Sequence, residues 1–150
     1  MKEALKKTEQ TMEENRGRDV RIYTCGPLIH NKAVTDELAE KGIDIINSPE
    51  EAEEGSIVIV RSHGEPEEFY KRAKARSIQI VDATCPFVKR IHQLVREAKN
   101  QGFHIVVIGD RSHPEVIGIV GWSDNEATVV SNLEEAEKVT EDRLFIVAQT

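Results

Sequence analysis

Three histidines and one cysteine of this chain stand in short loops that each follow a β-branched run and precede a helical stretch. The loops read Gly26-Pro-Leu-Ile-His30-Asn, Arg61-Ser-His63-Gly-Glu-Pro, Asp82-Ala-Thr-Cys85-Pro and Gly109-Asp-Arg-Ser-His113-Pro-Glu115. Imidazoles and the free backbone N–H groups of helix starts suit phosphate oxygens, and the helix N-terminus adds partial positive charge. The chemistry is that of a small anion, best a phosphorylated one. The chain has no Gly-x-Gly-x-x-Gly and no Walker-type lysine loop, so dinucleotides and triphosphates are poorly supported.

Cys85 precedes Pro86 in a strand-to-helix turn. A thiolate there is stabilised by the helix start and can serve as nucleophile or metal ligand, whereas a buried cysteine would only pack. Glu115 lies two residues beyond His113. In a partly closed crevice such a carboxyl group can hold and donate a proton; at an open helix start it would only favour the dipole. Three chemistries remain open for Cys85: a nucleophile with a His base, a zinc ligand, or one ligand of an iron-sulfur cluster completed elsewhere. Zinc lacks its paired Cys-x-x-Cys or His-x-x-x-His spacing. His92 falls inside a helical pattern and His104 inside a strand, and neither is assigned a role.

Positioning these residues requires a regular scaffold. Residues 1–16 predict a helix in which Ala4, Leu5 and Met12 punctuate Lys, Glu and Gln. Apolar runs then predict strands at Val20 to Tyr23, Ile43 to Ile46, Ile57 to Val60, Ile78 to Val81, Phe103 to Ile108, Ala127 to Val130 and Leu144 to Val147. Charged helical stretches separate most of them, which indicates an α/β protein with mainly parallel sheets flanked by helices. Gly42 and Gly102 are placed to end helices in a left-handed conformation. The four loops then sit at the carboxyl ends of strands, where open α/β sheets bind ligands, and are expected to face one shared crevice.

The pattern also echoes itself. His30-Asn-Lys-Ala-Val, Ser48-Pro-Glu-Glu-Ala-Glu and the run Ile57 to Val60 recur in order as His113-Pro-Glu-Val-Ile, Asn132-Leu-Glu-Glu-Ala-Glu and the run Leu144 to Val147. The spacing is too long for a solenoid repeat. Two similar α/β lobes are expected, residues 1–85 and 86–150, with the second incomplete.

Composition narrows the function. A chain of 150 residues with net charge −7 and interspersed signs has no basic footprint for nucleic acid. No apolar run is long enough for a membrane span, and the first residues lack a signal-peptide core, so a cytoplasmic location is expected. Its two cysteines, Cys25 and Cys85, are expected to be free or metal-bound rather than disulfide-linked.

The four loops, together with Ile108-Gly-Asp-Arg-Ser-His113-Pro-Glu115-Val-Ile-Gly and Ala148-Gln-Thr150, closely resemble the 4-hydroxy-3-methylbut-2-enyl diphosphate reductase family over essentially the whole chain. The resemblance implies a reductive dehydroxylation that yields isopentenyl and dimethylallyl diphosphates in the non-mevalonate isoprenoid pathway. It also implies a four-iron four-sulfur cluster held by three cysteines, and a ferredoxin or flavodoxin-type electron donor. Cys85 matches the middle cluster ligand. His30, His63 and His113 match the histidines around the diphosphate, Glu115 the proton donor, and Thr150 a threonine near the substrate oxygen. The family's first cluster cysteine, in a Gly-Phe-Cys-Phe-Gly segment, and its third, in a further lobe, have no counterpart here. Cys25 stands where the family carries an apolar residue and is read as packing. The chain is therefore expected to be a piece of a three-lobed enzyme and a poor reductase alone, with an anion-binding module or an inert fragment as the alternatives.

Overall fold

The computed structural model describes residues 2–28 and 31–150. The chain divides into two compact units, one of residues 1–62 and 68–84, the other of residues 63–67 and 85–150. The five-residue segment after the third strand thus packs with the second unit, so the division is not a single cut in sequence.

The first unit is a parallel four-stranded sheet of order β2-β1-β3-β4. Its strands are β1 (Ile22–Cys25), β2 (Asp44–Ile46), β3 (Ile57–Val60) and β4 (Gln79–Asp82). The helices are α1 (Lys2–Glu14), α2 (Lys32–Glu40) and α3 (Glu67–Ala75), the last beginning on the final residue of the 63–67 segment. Strand β3 reads Ile-Val-Ile-Val because both its faces are covered, and all four residues are buried. Val58 and Val60 join Tyr23, Cys25 and the α3 residues Phe69 and Ala73 on one face. Ile59 joins Ala4 of α1, Leu38 of α2, Leu28 and Ile43 on the other. Full burial of such side chains contributes roughly 1.5 to 3 kcal/mol each.

The second unit repeats this order with three strands, β6-β5-β7, all parallel. Its elements are α4 (Pro86–Asn100), β5 (His104–Ile108), α5 (Pro114–Gly121), β6 (Thr128–Val130), α6 (Leu133–Ala136) and β7 (Leu144–Ala148). In each unit the first strand lies between the second and the third. One face carries α4 and α5, whose Val95, Ala98, Val116 and Ile119 pack on Ile105, Val107 and their neighbours. The opposite face is only partly covered: Val106 and Val130 are buried, but Ile108 and Ile146 are 49% and 56% exposed.

The expected strands all form, Ile57–Val60 with the expected bounds and the others displaced by a residue or two at one or both ends. The register explains the first displacement, because β1 begins at Ile22, where pairing with Ile57 begins. Gly42 and Gly102 follow α2 and α4 with φ of 81° and 78°, a left-handed conformation that ends a helix without Cβ strain.

Candidate functional site

The second unit contains His63, Cys85, His113, Glu115 and Thr150, while His30 lies outside the described residues. Its site grows from the carboxyl ends of the adjacent strands β5 and β7. After β5, the Asp110 carboxylate accepts hydrogen bonds from the Ser112 N–H (2.8 Å) and hydroxyl (2.7 Å), closing a tight turn. These bonds hold the Asp110 carboxyl below the usual carboxylate range. The turn delivers His113 to the N-cap of α5, where its Nδ1 accepts from the Glu115 N–H at 3.2 Å. That bond engages Nδ1 as an acceptor and leaves Nε2 as the ring nitrogen for a ligand.

Glu115 occupies the first turn of α5 and is 2% exposed, which excludes the open helix-start reading. Buried carboxyl groups need partners, and Thr150 supplies two. Its backbone N–H donates to one carboxylate oxygen and its hydroxyl to the other, both at 2.8 Å. A carboxyl group and a hydroxyl in direct contact can exchange a proton with any acceptor that reaches the hydroxyl. The ring of His63 meets that of His113 edge to face, with centroids 5.2 Å apart. Two imidazoles, a helix N-terminus and a buried carboxyl–hydroxyl pair are therefore gathered within one unit.

Cys85 is placed differently. The Asp82 carboxylate accepts from both the backbone N–H and the hydroxyl of Thr84, shaping the turn before it. Cys85 is then the N-cap of α4, with Pro86 at the first helical position. Its thiol is free and half-buried, which disfavours a purely packing role. No hydrogen bond among the described residues ties it to the His113 and Glu115 group. Cys25 is 2% exposed in the first unit's core beside Tyr23 and Val60, as a packing residue should be.

Tested against an iron-sulfur cluster, the chain offers one thiolate in a suitable turn. Among the described residues no three His, Cys, Asp or Glu side chains gather as metal ligands. The residues present do not make up a ligand set for a cluster.

Two further residues escaped sequence reasoning. Gln149 donates its backbone N–H to the Ile108 carbonyl at 2.9 Å, and its side-chain oxygen accepts from the Asp110 N–H at 3.0 Å, joining the two loops. Its only signal is its place beside Thr150. His92 is buried and stacks on Trp122, with centroids 5.3 Å apart. Its helical position gave packing as the natural account, but not the partner.

Comparison with known proteins agrees with this architecture. The chain is 51% identical over 130 residues to a protein of Alkaliphilus oremlandii named 4-hydroxy-3-methylbut-2-enyl diphosphate reductase, covering 86% of this chain and 46% of that protein. A protein of the same name from Clostridioides difficile is 46% identical over 153 residues, covering 100% of this chain and 54% of the relative. The chain spans about half the length of the curated relatives it matches. A solved structure described as (E)-4-hydroxy-3-methyl-but-2-enyl diphosphate reductase, the terminal enzyme of the non-mevalonate pathway, superposes with a TM-score of 0.84 at 37% identity. It covers 99% of this chain and 53% of its own. The reductase structure from Plasmodium falciparum gives a TM-score of 0.87 at 28% identity over 99% of this chain and 48% of that one. The family model described as LytB protein matches residues 1–150, and with relatives and structures in agreement the chain belongs to that family.

Proposed function

We propose that this chain contributes the diphosphate-binding and proton-donating residues of an enzyme that reductively removes the hydroxyl group of 4-hydroxy-3-methylbut-2-enyl diphosphate. The overall change consumes two electrons and two protons, replaces the allylic C–O bond by C–H, and releases water with isopentenyl or dimethylallyl diphosphate. The observation that carries the reading is the buried Glu115 bound through both oxygens by Thr150, two residues from the His113 cap and in the same first turn of α5. In this reading Glu115 holds the proton and Thr150 passes it to the leaving oxygen. His63 and His113, with His30 by its sequence match, bind the diphosphate.

Cys85 stands as one of the three cluster cysteines, and the remaining ligands belong to the complete enzyme. That enzyme would draw electrons from a ferredoxin or flavodoxin-type donor. No helix among the described residues is long and apolar enough to cross a membrane, consistent with a cytoplasmic enzyme. A second reading is an anion-binding module without turnover, for which the paired His63 and His113 rings would suffice.

Calorimetric titration of the chain with inorganic pyrophosphate tests the binding half. A charge-assisted hydrogen bond contributes about 1.5 to 3 kcal/mol, so His113→Ala should weaken binding roughly 10- to 100-fold. Absence of binding by the unaltered chain would remove the diphosphate reading and leave an inert fragment. Turnover in a full-length relative carrying the same substitutions separates enzyme from module.

A further inference from the structure

The segment 63–67 is fastened at successive points to the second unit. Gly118 of α5 lies under its start: a Cβ there would stand 3.6 Å from the His63 carbonyl oxygen and 3.7 Å from that of Gly64. Trp122, the C-cap of α5, donates its indole N–H to the Glu65 carbonyl at 3.0 Å. Pro66 is pressed onto Gly121, where a Cβ would come within 2.3 Å of the Pro66 Cβ and 2.8 Å of its Cα. Glu67 is ion-paired with Arg96 of α4. Trp122 is itself held by the His92 ring, 18° from coplanar, and by the Arg96 guanidinium 5.8 Å from its centroid.

One helix therefore does two jobs. The N-terminus of α5 carries His113, and its C-terminus seats the segment that presents His63 to it. We propose that Gly121 and Trp122 are positioning residues for His63, setting the two imidazoles into a single anion site. The inference rests on the reading that His63 and His113 take a diphosphate, and it names what makes their pairing possible. Without the indole donor the Glu65 carbonyl loses that hydrogen bond, and with any side chain at residue 121 the Pro66 ring has to move. Either change reaches His63 through a backbone only a few residues long.

The test uses the whole chain, with isotope-labelled histidine for NMR and inorganic pyrophosphate as the probe. Gly121→Ala should shift the His63 and His113 ring resonances and abolish the cross-peak between them, while amide signals of β5 and β7 stay in place. Pyrophosphate affinity should fall about tenfold, the equivalent of roughly one charge-assisted hydrogen bond. Trp122→Phe, which keeps an aromatic ring and deletes the donor, should do the same to a smaller degree, and it decides the matter if Gly121→Ala does not fold. In a His63→Ala background neither substitution should cost further affinity. Unchanged ring resonances, or an equal further loss in that background, would overturn the inference. Failure of the unaltered chain to bind pyrophosphate would instead count against the site reading, and the ring resonances would still decide whether Gly121 and Trp122 position His63.

Discussion

Both oxygens of Glu115 are engaged by one residue, and that residue lies just past the end of β7. Glu115→Gln keeps the shape of the side chain but removes the acid. If Glu115 supplies the proton as proposed, positioned proton transfer commonly contributing 10²- to 10⁴-fold, turnover of a full-length relative carrying the same substitution should fall by that factor, about 3 to 5 kcal/mol of barrier, with substrate affinity retained. A variant with more than about a tenth of the rate, well above the floor for an essential acid, would take Glu115 out of the mechanism. Thr150→Val asks a related question of the chain alone. It leaves the backbone donor but strips a buried carboxylate oxygen of its hydroxyl partner, and should cost about 1 to 3 kcal/mol in denaturant unfolding. An unchanged midpoint would mean that solvent replaces the hydroxyl. Sequence motifs supplied both residue types, but not their contact, because nothing local to Glu115 indicates that β7 ends beside it. Gly118 and Gly121 seat a segment that is distant in sequence, so nothing local to them indicated that contact.

At the scale of elements, the turn between β5 and α5 has a pH dependence that can be read from its hydrogen bonds. The Asp110 carboxyl is held below its ordinary value of about 3.9, so its contribution to the folded turn is complete above that pH and is lost as pH falls through the lower folded value. Amide exchange at Ser112, the donor to Asp110, should therefore be steady from neutral pH to about 4 after correction for intrinsic rates, and accelerate below it. Acceleration beginning well above that pH would mean that a group other than Asp110 holds the turn. Element type was well encoded: the apolar runs were long enough to name strands and the glycines marked helix ends. Boundaries were not, since a strand begins where its neighbour begins to pair, as Ile22 does opposite Ile57. The edge strand β2 likewise extends only over residues 44–46, which pair with β1.

At the scale of the molecule, the first three strands of each unit share one arrangement, with the first lying between the second and the third. The switch of residues 63–67 into the second unit left no trace in composition, because it is set by a tryptophan, a glycine and an arginine far along the chain. The partly covered face of the β6-β5-β7 sheet has a consequence for how the protein behaves in bulk. Ile108 and Ile146 place aliphatic carbon in water, and with Val139 and Leu144 they line an apolar depression. Salts excluded from protein surfaces strengthen the drive to remove such carbon from water. Sedimentation velocity should therefore show reversible dimers growing with sulfate concentration, and Ile146→Lys should abolish them, because the buried contact would then have to desolvate a charge. Salt-independent sedimentation of the unaltered chain would mean that this face is too small or too mobile to hold two molecules together.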